Sequence, residues 1–203
     1  MRKIAKMEYM TFCNALRLHV DSIKLFQNGS FPSSFFLSVL ALEEFGKAWL
    51  LGDFVFYWGR EVRMEPKHER EWLEIIYHHR VKQEAFHRNA AFDLPKSFTI
   101  GISSGRLDRL KQESVYVGFE RRGKIEGRLR TPCSVTRKKA ASQITIVNDY
   151  LRVFSLGVSR HVYGWDNPMV ERQLNKGLFN RFSALWKVES GAAKRLIRKL
   201  MHV

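Results

Sequence analysis

Residues 32–58, PSSFFLSVLALEEFGKAWLLGDFVFYW, constrain this chain more than any other stretch. Gly29 suits a left-handed helix stop, and Ser30 with Pro32 suits a new helix start. Beyond them, apolar residues fall on nearly every side of the helical wheel, and such a helix belongs at the centre of a bundle. Yet Glu43, Glu44 and Lys47 sit in its middle, with Asp53 further on. Four charges in this apolar run argue against a transmembrane span. They also demand partners, because an unpaired buried charge is expensive.

The partners are expected on the third helix, about Glu69 to Phe92. There Trp72, Ile76, His79, Gln83, Phe86 and Ala90 form one stripe, with Lys82 one turn beyond His79. The economical arrangement sets Glu43 or Glu44 against His79 or Lys82, with Glu43 and Lys47 also placed to pair locally. Gly46 would let the two helices approach closely. Such a cluster is either a polar layer that fixes helix register or a set of tuned acid/base groups.

The remaining pattern is mainly α. A first helix over 2–27 precedes the apolar one, and a polar connection, 60–70, contains Pro66. The glycine-rich insertion 95–134 holds a helical piece near 105–113, then a hairpin with SVYVGF as a strand and RRGK as its turn. Ser134 or Thr136 can cap a fourth long helix. The tail from Asn167 reads as two helices broken near Ser190-Gly191. The expected organisation is a helical domain over 1–160 and a basic helical extension over 161–203 packed on it.

Lys and Arg outnumber Asp and Glu by 35 to 20, a net charge of +15 that favours a polyanionic partner. Arg121, Arg122, Lys124, Arg128, Arg130, Arg137, Lys138 and Lys139 concentrate this charge, with Tyr116 and Phe119 near for stacking. A basic ribbon with aromatics suits single-stranded RNA, and a solvated hairpin is the alternative. At the end of the chain, Leu196, Ile197 and Leu200 form an apolar face suited to docking on the bundle or a partner, with membrane-surface binding as the alternative. Cys13 and Cys133 have no metal-ligand spacing, and the N-terminus lacks a secretory h-region, so a cytoplasmic protein without stable membrane insertion is expected.

Arg80 and His87, i and i+7 on the third helix, share a face about 10 Å apart along the axis. Arginine for phosphate charge and histidine for proton transfer are what metal-free RNA cleavage needs, the substrate's 2′-hydroxyl being the nucleophile. An exposed Arg–Glu pair beside a surface histidine is the plainer reading. Glu84-x-x-His87 matches half of a di-iron motif, but Glu65-x-x-His68 is interrupted by Pro66. No metal or other cofactor is therefore expected.

ALEEFGKAWL, then HHRVKQ, then LKQESVYVGF followed by a proline after the hairpin, resemble the AbiV family of abortive infection proteins within the HEPN superfamily. The resemblance spans roughly residues 10–160. It implies an antiparallel helical bundle and an anti-phage effector that shuts down host growth or translation. It also implies a homodimer, RNA or the translation apparatus as target, and a phage-encoded activator. Many HEPN relatives are metal-independent endoribonucleases with an Arg-x(4–6)-His motif, whose spacing Arg80-x6-His87 fits. Val81 follows the arginine where active members usually carry a polar residue, so a non-catalytic module that binds RNA or a phage or host protein is the alternative. The catalytic candidates are Arg80, His87, His79, Lys82 and Glu44. The polar cluster comprises Glu43, Glu44, Lys47, His79 and Lys82.

Overall fold

A glycine turn sets the first helix pair. In the computed structural model, which describes residues 2–58, 65–119 and 129–202, α1 (Arg2–Gln27) ends at Gly29, where φ is 78°. The chain reverses there, and α2 (Phe31–Trp58) packs back along α1. Both spans follow the sequence pattern, and the described residues form the expected mainly α bundle.

The third element differs from expectation. Instead of one helix over 69–92 there are two, α3 (Pro66–Tyr77) and α4 (His79–Arg88). His78 lies between them with ψ 120°, an extended conformation that interrupts the helical ladder. No Gly or Pro marks this break; His79, immediately after it, is held by α2.

The insertion is more helical than its glycines suggest. It holds α5 (Lys96–Ser103), which the sequence reading omitted, and α6 (Arg106–Glu113), which it placed. A short hairpin follows, β1 (Gly118–Phe119) antiparallel to β2 (Leu129–Arg130), with Gly118 opposite Arg130. The RRGK turn, with Arg121, Arg122, Lys124 and Arg128, lies outside the described residues.

Thr136 caps α7 (Arg137–Ser159) by accepting a hydrogen bond from the Lys139 N–H. This helix is buried over most of its length and, with α2, forms the centre of the bundle. Phe12, Phe45, Phe86 and Tyr150 meet there, all fully buried, each worth about 1.5–3 kcal/mol on the usual transfer scale. The Tyr150 hydroxyl accepts from Trp49 Nε1, which satisfies two polar groups inside that core.

The tail carries α8 (Pro168–Glu171), α9 (Lys176–Leu185) and α10 (Gly191–Met201), with Ser190 capping the last. Glu8 of α1 accepts from Trp165 Nε1 and Asn167 Nδ2, and Phe182 is fully buried against His19. Ile197 and Leu200 are buried beside Val153 and Leu156 of α7. Among the described residues, no helix is long and apolar enough to cross a membrane.

Candidate functional site

Gly46 determines where α4 can lie. A Cβ at this position would stand 1.8 Å from the Lys82 carbonyl oxygen, so only glycine permits this contact of α2 with the α4 backbone. One turn back on α2, Glu43 is 1% exposed and becomes the hub of the site.

Glu43 Oε2 accepts from His79 Nδ1 at 2.7 Å, and Oε1 accepts from Gln83 Nε2 and Lys111 Nζ, each at 2.8 Å. Lys82 Nζ lies 3.9 Å from Oε2. Lys111, itself 1% exposed, also reaches Asp108 Oδ1 at 2.8 Å. The carboxylate thus gathers donors from α4 and α6, the condition under which a buried charge is tolerated. Desolvation pushes the Lys82 ammonium below its ordinary pKa, while Glu43 and Glu44 oppose that shift. The His79 side chain keeps half of its surface exposed beyond its fixed Nδ1.

Two members of the expected cluster stand elsewhere. Glu44 accepts from Asn14 Nδ2 of α1 at 3.1 Å and faces an open groove, because its neighbour Glu43 already occupies the α4 side. Lys47 does not pair with Glu43; its ammonium lies over the Tyr77 ring, 4.7 Å from the centroid. The pairing of a glutamate with His79 and Lys82 was legible, and which glutamate was not.

Glu43, His79 and Asp108 offer ligand atoms within 4.8 Å of one another. Lys111 Nζ already lies 2.8 Å from both carboxylates, so the chain supplies a cation at that place.

Arg80 and His87 occupy the other side of α4 and converge on α5. Arg80 Nη2 donates to the Ser103 carbonyl at 2.7 Å and lies 3.8 Å from Glu84. His87 Nε2 is hydrogen-bonded to Thr99 Oγ1 at 3.2 Å. Thr99 and Ser103 are four residues apart, about 6 Å along the α5 axis. Two groups about 10 Å apart on α4 thus each bond to the same stretch of α5.

Of the basic residues within the described part, Lys138 is exposed and Lys139 Nζ donates to the Ser134 carbonyl. Arg137 stacks 5.8 Å from the Phe26 ring centroid, and Arg130 lies 3.9 Å from Glu113. Tyr116 is exposed beside the hairpin. The sequence reading missed Asp108, Lys111, Thr99 and Ser103, and placed Gln83 on the right stripe without a role. The i, i+3 spacing of Asp108 and Lys111 was the available signal, within a segment whose charge suggested a solvated helix.

The architecture is a mainly α helical bundle joined by an interhelical polar cluster. The profile of the HEPN_AbiV family, described as AbiV, matches residues 3–152, and the chain belongs to that family. This membership carries an abortive-infection, anti-phage role. No curated protein sequence and no solved structure matches the chain.

Proposed function

We propose that this protein halts host growth or translation during phage infection by metal-independent cleavage of RNA, acting as a homodimer. The convergence of Arg80 and His87 on one turn of α5 carries this reading. A guanidinium and an imidazole anchored on the same face of a neighbouring helix can serve one phosphodiester. The substrate's 2′-oxygen attacks phosphorus, the 5′-oxygen leaves, and a 2′,3′-cyclic phosphate forms. Arg80 stabilises the negative charge of the phosphorane. His87 moves a proton as general acid or base, with its ring oriented by Thr99. His79, fixed at Nδ1 by Glu43, and Lys82 lie on the α2 side of α4, away from Arg80 and His87, and take no part in this step; solvent exchanges the second proton. Glu44 likewise has no part in this scheme. Arg130, Arg137, Lys138, Lys139 and the hairpin cations hold the RNA backbone.

A second reading has its own support: Arg80 and His87 each spend a hydrogen bond on α5. On that reading they brace the bundle, and the protein inhibits by binding RNA or a phage or host protein. Incubation of the protein with total RNA and with tRNA, with and without EDTA, separates the two. Cleavage that survives EDTA and is lost in Arg80→Ala and His87→Ala supports the nuclease. RNA or protein binding without cleavage, even with phage lysate added, supports the second reading.

A further inference from the structure

The most distinctive unassigned feature lies on the other side of α5 from Arg80 and His87. A groove of about 400 Å³ runs between the α5–α6 pair and the start of α7, within the usual size of a small-molecule site. Phe98, Leu107, Leu110 and Ile146 give it apolar walls. Arg106, Lys138 and Lys139 stand at it, and among the described residues no Asp or Glu lines it. Among the described residues neither Arg106 nor Lys138 has an ion-pair partner, while Lys139 is held in place through the Ser134 carbonyl. Lys138 and Lys139 belong to the first turn of a 23-residue helix, whose free backbone N–H groups add positive potential.

Gln143 lines the same groove and is only 3% exposed, yet its Nε2 has no hydrogen-bond partner; that nitrogen is itself shielded from solvent, so a ligand in the groove meets it once the side-chain amide turns outward. A buried donor left unpaired is costly and calls for an acceptor. An apolar slot, a cationic edge and a waiting amide at the wall together define the ligand. It has a flat apolar body, a polar edge and a negative group. A fatty chain would satisfy the walls and the cations but leave the amide unpaired. A nucleobase with its phosphate satisfies all three.

We infer that this groove binds a nucleotide, either free or as one residue of single-stranded RNA, with its phosphate at Arg106 and Lys138 and its base edge at Gln143. The site does not depend on RNA cleavage. If it binds a strand residue, it would hold RNA across α5 from Arg80 and His87.

The test is calorimetric titration of the full chain with adenosine 5′-monophosphate, adenosine, inorganic phosphate and a 2′-O-methyl RNA pentanucleotide, which lacks the attacking hydroxyl. Binding of the monophosphate identifies a free nucleotide, and binding of the pentanucleotide alone identifies a strand residue. Either should weaken at least tenfold in Lys138→Glu and in Arg106→Glu, both on the exposed rim. Gln143→Met should weaken binding as much while leaving the melting temperature unchanged or higher, since it removes an unpaired donor. Arg80 and His87 lie outside this groove, so a parent protein that binds the monophosphate but cleaves no RNA counts only against the nuclease. The inference is overturned if neither nucleotide probe binds or if phosphate alone binds as tightly as the monophosphate. It is equally overturned if Gln143→Met binds normally or melts lower.

Discussion

Glu43 and Lys111 are 68 positions apart in the chain, and their side chains, each 2% exposed, meet at 2.8 Å. The ammonium of α6 neutralises the carboxylate of α2, and the same carboxylate orients His79 of α4. One buried contact therefore joins the central helix, the candidate catalytic helix and the insertion.

Removing that carboxylate should be severe. Glu43→Ala leaves Lys111 and Lys82 without their counter-charge, and loss of one member of a buried pair costs about 3–5 kcal/mol. Glu44→Ala, which loses only a part-exposed contact with Asn14, should cost under about 1 kcal/mol. Urea denaturation of both variants checks the contrast, and equal losses would show that Glu43 is not the hub.

Gly46→Ala places a methyl group inside the contact with the Lys82 carbonyl. Backbone cannot yield as a side chain would, so a loss of about 3 kcal/mol, the upper part of the overpacking range, is expected. A thermal melt within a degree of the parent would mean that α4 does not touch α2 at this point.

These two positions also show what could be read from the chain. The boundaries of α1, α2 and α7 follow from long, regular apolar patterns. The pairing of a glutamate with His79 and Lys82 followed from asking where buried charge could go, and Gly46 from the need for close helix approach. The break at His78 was not legible, because the apolar stripe runs through it unchanged and its cause, the grip of α2 on α4, is tertiary. Helix α5 was missed since Phe98-Thr99-Ile100-Gly101 has β-branched residues and a glycine that weaken a local helical reading. Lys111 was missed for a different reason: its one signal, the i, i+3 spacing from Asp108, is as common on a solvated helix.

His19 predicts an acid sensitivity. Its ring is fully buried, with Nε2 on Asn148 Oδ1, and burial holds its pKa down to about 4 against an ordinary 6.5. Between those values the unfolded chain takes up the proton and the folded one does not, so this group's contribution is lost as pH falls from 6.5 towards 4. The loss amounts to roughly 3 kcal/mol. Asp149, raised to about 6 by burial, works in the opposite direction over much of the same range. The measurement is therefore a difference: His19→Gln should lose less stability than the parent between pH 7 and pH 4.5.

If Arg80 and His87 act on a phosphodiester, His87→Ala should lower cleavage at least about 100-fold, the usual worth of a general acid or base. Arg80→Lys should not restore what Arg80→Ala loses, because an ammonium lacks the planar fork of guanidinium donors. Thr99→Val should lower the cleavage rate with little change in RNA binding, since it frees the His87 ring without removing a positive charge. Rates and binding measured on the same preparations decide between this and a bracing role.

The long chain separation between Glu43 and Lys111 has a consequence for synthesis on the ribosome. A nascent chain that has released only α1 to α4 already contains Arg80, His79 and His87, but its central carboxylate still lacks the ammonium of Lys111. Domains are completed as their distant segments emerge, and a contact of long sequence separation forms only after its loop has closed. The surroundings of α4 are thus finished late, after α6 has been made. If the protein arrests growth as proposed, that order would keep unfinished chains from acting before they are complete.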